Sequence, residues 1–286
     1  MTSSSAPKKQ TYVIRPVSGW FDLHLGDLWR YRDLIMLFVR RDFVAVYKQT
    51  ILGPLWYVIQ PLLTTIVFTI IFGRVARIPT DGLPPTLFYL AGLTTWNYFA
   101  GCLTKTSNTF IGNAAIFGKV YFPRLAVPLS VVISGLIGFA IQLALFLCFM
   151  AFYALKGMTF AVSPLLLLFL PLLVVQVAAL GLGFGIIVSS LTTRYRDLSF
   201  LITFGVQLWM YATPIVYPAS RIPESWLWLI SLNPMTPVVE LFRYAFLGTG
   251  TVHPWQVAMS LVMTVLILFC GIVLFSRVEK SFMDTV

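Results

Sequence analysis

Long apolar runs alternate with short polar segments along this chain, and six of the runs contain no Asp, Glu, Lys, Arg or His. Each run has 19 or more residues, and a helix of about 20 residues crosses the roughly 30 Å hydrocarbon core of a bilayer. One such run is compatible with a buried core helix, but six in series are typical of a membrane protein. The pattern predicts an all-α integral membrane protein whose transmembrane domain covers residues 53–276. Its six spans are residues 53–73, 86–104, 125–155, 165–191, 198–216 and 256–276.

The same pattern assigns the segments that flank the spans. Residues 1–32 form a polar N-terminal segment, and residues 277–286 form a short tail. In residues 33–52, apolar side chains such as Ile35 and Phe43 recur at helical spacing among basic ones. This spacing predicts an amphipathic helix that lies in the membrane surface with its apolar side toward the lipid.

Residues 217–254, between the fifth and sixth spans, are rich in Trp, Leu and Phe. They predict two short helices separated by Asn233 and Pro234, and neither is long enough to cross a membrane. Glu240 and Arg243 interrupt the second helix, at a spacing that allows them to pair. We predict a re-entrant helical hairpin in which Asn233, Glu240 and Arg243 form an outer gate. The alternative is an ordinary surface hairpin.

The distribution of Lys and Arg predicts the orientation in the membrane. If the N-terminus is cytoplasmic, 15 of the 20 basic residues face the cytoplasm and five face outward. This asymmetry favours cytoplasmic N- and C-termini, with residues 1–32 and 277–286 both inside. It also accounts for the net charge of +10 through contact with anionic lipid, so that no nucleic-acid partner is expected.

Catalytic and nucleotide-binding patterns are absent from the sequence. Residues 112–120 contain two glycines followed by a lysine, but five residues separate the glycines and Val120 stands where a phosphate-binding loop has Ser or Thr. His24 and His253 fall on opposite sides of the membrane, and no metal-ligand spacing occurs. We therefore expect a transport subunit rather than an enzyme, with no cofactor on this chain. Because the spans hold no ionisable groups, the energy for transport is expected from another chain.

Aromatic residues make up 15% of the sequence, and many lie in the first, second and fifth spans beside Thr, Gln and Asn. Most are expected at the membrane interfaces or against lipid. A set of them combined with neutral polar groups also suits the wall of a channel for a sugar polymer, because flat rings contact the apolar faces of sugars. The predicted channel-lining residues are Trp56, Tyr57, Phe68, Trp96, Phe204, Trp209 and Tyr211.

Several short motifs, in order along the chain, resemble those of permease subunits of polysaccharide-exporting ABC transporters, which export O-antigen, capsule, teichoic acid or galactan. The most specific lies at the first span. It comprises Arg40-Arg41-Asp42-Phe43, Tyr47-Lys48-Gln49-Thr50-Ile51-Leu52-Gly53-Pro54-Leu55-Trp56 and Gln60-Pro61. Weaker matches follow at Gly92-Leu93, Lys119-Val120-Tyr121-Phe122-Pro123, Arg194-Tyr195-Arg196-Asp197 and Leu232-Asn233-Pro234.

The resemblance implies a homodimer in the bacterial inner membrane, with a continuous channel lined by spans one, two and five. It implies two copies of a separate cytoplasmic ATPase subunit that binds ATP and Mg²⁺. It also implies a substrate, a lipid-pyrophosphate-linked polysaccharide, that enters from the cytoplasmic side. The sugar repeat and the polymer length are not predicted.

Contacts with the ATPase are expected on the two cytoplasmic surface helices, because only these can transmit a movement to the spans. The predicted contact residues are Arg41, Phe43, Tyr47, Lys105, Ile116, Phe117 and Lys119. Two other functions stay open at this point. One is an ABC exporter of a lipid or small amphiphile, and the other is a membrane-embedded glycan- or lipid-modifying enzyme.

Overall fold

The computed structural model describes residues 25–48, 51–117, 119, 122–193, 195 and 197–282, and every regular element in this part of the chain is helical. The N-terminal segment up to residue 24 lies outside the described residues. The helices are α1 (Leu25–Arg30), α2 (Arg32–Lys48), α3 (Trp56–Phe68), α4 (Pro85–Ser107), α5 (Thr109–Phe117), α6 (Ala126–Leu155), α7 (Pro164–Leu168), α8 (Leu170–Thr192), α9 (Leu198–Ala212), α10 (Glu224–Ser231), α11 (Met235–Leu247) and α12 (Pro254–Phe282).

Among the described residues, four helical segments are long and apolar enough to cross a membrane. They are Gly53–Val75, which includes α3, and Ala126–Leu155, Leu170–Thr192 and Pro254–Val278. The other two predicted spans correspond to α4, which is long but more polar, and to α9, a shorter apolar helix. The chain is therefore an all-helical, multi-pass membrane protein.

The helix α4 forms the centre of the chain and packs against α3, α6, α8, α9 and α11. It is buried on nearly all sides, which explains how it tolerates its polar residues. Thr94 donates a hydrogen bond to the Leu90 carbonyl in the preceding turn, and Asn97 donates to Gln142 of α6 at 2.9 Å. A helix enclosed by other helices needs less apolar surface than one that faces lipid.

A second, smaller core lies at the end of the molecule that carries α2 and α5. The helix α2 occupies most of the predicted segment 33–52 and packs along α6, where it buries Ile35 and Phe38. That its apolar side lies in the membrane surface stays a prediction. Phe110 of α5 stacks on Phe275 of α12, with ring centroids 4.6 Å apart. These contacts tie the predicted cytoplasmic surface helices to the long helices α6 and α12.

The predicted pair of short helices between α9 and α12 is confirmed as α10 and α11, which we call the outer hairpin (residues 224–247). Most side chains of α11 are buried, and the helix packs against α4, α7, α8, α10 and α12. Gly248 ends α11 with a φ of 70°, a left-handed conformation that glycine adopts at little cost. The helix α11 is thus part of the core, whereas α10, in which only Ser231 is buried, lies at the surface of the fold.

Candidate functional site: an aromatic surface and the outer hairpin

Three of the aromatic residues that the sequence assigns to a channel wall lie at the surface of the chain. Trp56 of α3 is 46% exposed, and Phe204 and Tyr211 of α9 are 61% and 43% exposed. Tyr57 is only partly exposed, since its ring lies against Gly138 of α6. Trp56 of α3 and Phe204 and Tyr211 of α9 therefore present their rings outward.

Two other predicted wall residues lie inside the chain. Phe68 and Trp96 are 7% and 3% exposed. The centroid of the Trp96 ring lies 5.3 Å from that of Phe99 and 6.2 Å from that of Trp209. Phe68 packs edge-on against Tyr89, with ring centroids 6.0 Å apart. In this structure both rings belong to the core behind the exposed surface of α3 and α9.

Trp209 of α9 is half-buried and is held on several sides. Its ring meets Phe99 and Phe184 edge-on, with centroids 5.1 and 5.0 Å apart. Its indole N–H donates a hydrogen bond to the Asn233 side-chain carbonyl at 3.1 Å. The contacts of Trp209 therefore fix the C-terminal end of α9 against α4, α8 and the outer hairpin.

Asn233 connects the outer hairpin to the end of α9. Its Oδ1 accepts a second hydrogen bond, from the Met235 N–H at 3.0 Å, and its Nδ2 donates to Thr213 Oγ1 at 2.8 Å. The bond from the Met235 N–H satisfies one of the N–H groups at the start of α11 that have no partner within the helix. The Thr236 hydroxyl, in the first turn of α11, donates to the Ile230 carbonyl.

Glu240 and Arg243 form a buried ion pair, which confirms the pairing that their spacing predicts. The Arg243 Nη1 lies 3.1 Å from Glu240 Oε1, and both side chains are almost fully buried. The guanidinium also donates to the carbonyls of Pro214 and Ile215, just beyond the end of α9. Its central carbon lies 3.7 Å from the centroid of the Phe88 ring, a cation–π contact.

The residues of α4 that contact Arg243 are not evident from the sequence. Phe88 and Gly92 are one helical turn apart on α4, and both adjoin the guanidinium. A side chain at position 92 would place its Cβ 2.8 Å from Arg243 Nη2. A glycine inside a predicted span was the available signal, but Gly101 in the same span gives the same signal, and neither indicates a partner.

The second oxygen of Glu240 also has a partner. Oε2 accepts a hydrogen bond from the Thr251 N–H at 3.0 Å, in the segment that leads from α11 to α12. Burial raises the pKa of the Glu240 carboxyl, whereas the neighbouring Arg243 charge and the Thr251 N–H act in the opposite direction. The carboxylate is thus bonded at both oxygens. That Asn233, Glu240 and Arg243 act as a gate stays a prediction.

The predicted ATPase contacts differ in accessibility. Arg41 pairs with Asp42 at 2.9 Å, and Phe43 is partly exposed; the side chain of Tyr47 lies outside the described residues. Lys105 and Lys119 are exposed and Ile116 is partly exposed, whereas Phe117 is 2% exposed. The Phe117 ring packs between Phe110 and Phe122. It therefore holds α5 in place and offers no surface to a partner.

No group of three or more His, Cys, Asp or Glu side chains that could hold a metal ion occurs within the described ranges. Cys102 is buried, and Cys148 and Cys270 are exposed on α6 and α12; all three are unpaired by disulfides. The polar contacts of the outer hairpin and the exposed rings of α3 and α9 are therefore the features from which a function can be argued.

Comparison with known proteins identifies the family. The chain is 30% identical to the O-antigen export system permease protein RfbA of Klebsiella pneumoniae over 261 residues. These residues are 91% of this chain and 96% of that protein. It is 28% identical to the RfbA permease of Myxococcus xanthus, over 77% of this chain and 82% of that protein. It is 23% identical to the polysialic acid transport protein KpsM of Escherichia coli, over 82% and 89%. Residues 33–247, from α2 to the end of α11, match the ABC-2 type transporter family, and the chain belongs to that family.

Proposed function

We propose that two copies of this chain form the channel of an ATP-driven exporter, which moves a lipid-pyrophosphate-linked polysaccharide outward across the bacterial inner membrane. The observation that carries the proposal is the exposed aromatic surface of α3 and α9, in a chain similar over nearly its whole length to O-antigen export permeases. Flat rings at a lumen give a sugar chain many weak contacts, so that a long polymer slides without being held.

The proposed topology has six crossings with both termini in the cytoplasm. The four long apolar helices supply four of them. We assign a fifth to α4, whose polar side chains are enclosed by neighbouring helices, and a sixth to α9 together with the irregular residues 213–216 that follow it. Buried, non-helical backbone is acceptable at membrane depth where protein groups satisfy it, as Arg243 does for Pro214 and Ile215.

The proposed homodimer covers the exposed surface of α9. Among its residues only Val206 is buried, while Phe200, Leu201, Phe204 and Leu208 are all more than half exposed. A second copy that packs around this surface would enclose a channel between the two α9 helices, with the outer hairpins at its outer end. In this arrangement Asn233, Glu240 and Arg243 hold the hairpin that closes the channel.

The energy is proposed to come from two ATPase subunits that bind ATP and Mg²⁺ on the cytoplasmic side. Their contacts are proposed on α2, at Arg41, Phe43 and Tyr47, and at α5 and the residues that flank it, at Lys105, Ile116 and Lys119. The contact of Phe110 with Phe275 gives a docked subunit a rigid connection from α5 to α12. A push on α5 is thereby passed to a long helix of the transmembrane domain.

One observation favours a second candidate, export of a lipid or small amphiphile. The most exposed large apolar residues of α9 are Phe200, Leu201 and Phe204, and Thr203 and Gln207 are exposed polar residues of the same helix. Such a surface also suits acyl chains. The two candidates differ in the part of the substrate that the channel contacts, which is the glycan in the first and the lipid in the second.

Reconstitution separates the two candidates. The permease is placed in lipid vesicles with its partner ATPase, and ATP hydrolysis is measured with lipid-linked glycans of increasing length and with phospholipid or free lipid pyrophosphate alone. Under the first proposal hydrolysis rises with the glycan, and the glycan becomes protected from an external glycosidase. An ATPase variant that cannot hydrolyse ATP is the control. Stimulation by lipid alone, with no effect of the glycan, would instead establish the second candidate.

A further inference from the structure

The outer end of α9 is attached to the outer hairpin at two separate places. At the first, Asn233 accepts a hydrogen bond from Trp209 and donates to Thr213 Oγ1 and, at 3.4 Å, to the Ala212 carbonyl. At the second, Arg243 donates to two backbone carbonyls, those of residues 214 and 215. Five hydrogen bonds therefore join residues 209–215 to the outer hairpin.

The two attachments hold opposite ends of α11. Asn233 precedes the helix and Arg243 lies in its third turn, ten positions later, which corresponds to about 15 Å along a helix. A single contact would leave α11 free to rotate about it, whereas contacts from side chains at both ends of the helix restrain both its position and its direction. The attachments also differ in chemistry, since one is a neutral amide and the other a guanidinium.

The outer hairpin also packs against α12, but fewer side-chain hydrogen bonds join these two elements. Ser260 donates to the Pro234 carbonyl, and Gln256 donates to Ser231 Oγ, both at 2.7 Å. These are the two side-chain hydrogen bonds described between α12 and the hairpin. By this measure the hairpin is joined more firmly to the end of α9 than to α12.

We infer that Asn233 and Arg243 are positioning residues that make the outer hairpin and residues 209–215 one cooperative unit. A displacement of α9 then carries the hairpin with it, so that widening of the channel between two α9 helices also opens its outer end. The opening of the channel by α9 rests on the proposed function, but the cooperative unit is a property of this chain alone. Neither residue needs to touch the substrate for this role.

Hydrogen exchange of the purified permease in nanodiscs tests the unit without ATPase or glycan. The double variant Trp209→Phe with Thr213→Val removes the indole N–H that donates to Asn233 and the hydroxyl oxygen that accepts from it. Thr213→Val alone removes only the hydroxyl and should have a smaller effect. The control is Thr264→Val, a buried threonine whose hydroxyl bonds only within α12. If the unit is cooperative, the amides of residues 242–247 exchange roughly tenfold faster in the double variant, although none of these residues is hydrogen-bonded to Trp209 or Thr213. Faster exchange confined to residues 205–216 would overturn the inference.

A second measurement tests the consequence for export. Polymer at the cell surface is measured per unit of folded permease for the same variants, together with ATP hydrolysis. Loss of coupling predicts that the double variant exports several times less polymer while hydrolysis per complex is kept, and that the control exports normally. Wild-type export from a double variant with increased exchange would show that α9 does not open the hairpin. If the wild type itself exports no polymer, the proposed function fails while the exchange result still decides whether the unit exists.

Discussion

Gly92 lies directly beneath the guanidinium of Arg243, and a Cβ atom added at position 92 would lie only 2.8 Å from Nη2. The same Cβ would lie 3.2 Å from the Ile215 side chain and 3.4 Å from its Cα. The absence of a side chain on α4 therefore allows both Arg243 and the segment after α9 to pack against this helix. A helix interior normally disfavours glycine, so the close approach compensates for a local cost.

Replacing Gly92 with Ala should lower the thermal stability of the permease. The methyl group would displace either Arg243 or Ile215, and overpacking of this kind costs about 1–3 kcal/mol. Gly101→Ala is the matched control on the same helix, because nothing lies within 4 Å of its Cβ position. That variant should keep or raise the melting temperature, since alanine favours a helix by about 0.5–1 kcal/mol over glycine. Equal melting temperatures for the two variants in detergent would contradict the contact.

Neutralising Glu240 should destabilise the permease strongly. Glu240→Gln leaves the Arg243 charge buried without its counter-ion, and breaking one partner of a buried pair costs about 3–5 kcal/mol. Asp42→Asn is the control, since it breaks the more exposed Arg41–Asp42 pair, where about 1 kcal/mol or less is expected. The measurement is the denaturant or temperature midpoint of both variants. A Glu240→Gln variant as stable as Asp42→Asn would mean that the ion pair is accessible to water.

Local sequence patterns predicted the helices well because they depend on neighbouring residues. The apolar runs predicted α3, α6, α8 and α12, and the Asn233-Pro234 break predicted the two helices of the outer hairpin. The spacing of Glu240 and Arg243 predicted their pairing because residues three apart share a helix face. Each of these inferences needed fewer than about 30 consecutive residues.

Contacts between distant residues were not predictable in the same way. Asn97 bonds Gln142, which is 45 positions away, and Gln176 bonds Ser260, which is 84 away. The aromatic residues show the same limit, since Trp96 and Phe204 look alike in sequence but one is buried and the other exposed. Which ring faces inward depends on how helices pack, and a single sequence does not specify that packing.

Docking of the ATPase should depend on the exposed residues of α5 and the segment that follows it. Lys119→Glu reverses an exposed charge, and Ile116→Asp places a charge on a partly exposed apolar side chain. We expect both to reduce co-purification of the ATPase severalfold without loss of folded permease. Lys156→Glu, on the opposite side of the membrane in the proposed topology, is the control and should have no effect.

The buried neighbour of Ile116 should behave differently. Phe117→Asp puts a charge into the ring cluster with Phe110 and Phe122, so the yield of folded permease should fall. If Lys119→Glu and Ile116→Asp retain the ATPase at wild-type levels, α5 is not the docking surface.

The exposed and buried aromatic residues should separate transport from stability. Phe204→Ala and Trp56→Ala remove surface rings, and we expect each to lower surface polymer per unit of folded permease about fivefold, as a contact worth about 1 kcal/mol would. Trp96→Ala removes a core ring and should cost about 3–5 kcal/mol of stability, with polymer per folded molecule nearly unchanged. Phe169, 49% exposed at the start of α8, is the control for a surface ring outside the proposed channel. If Phe204→Ala and Phe169→Ala both reduce polymer only in proportion to protein level, the rings of α9 contact lipid. An aromatic channel wall that contacts the sugar polymer is then excluded, even though the family assignment stands.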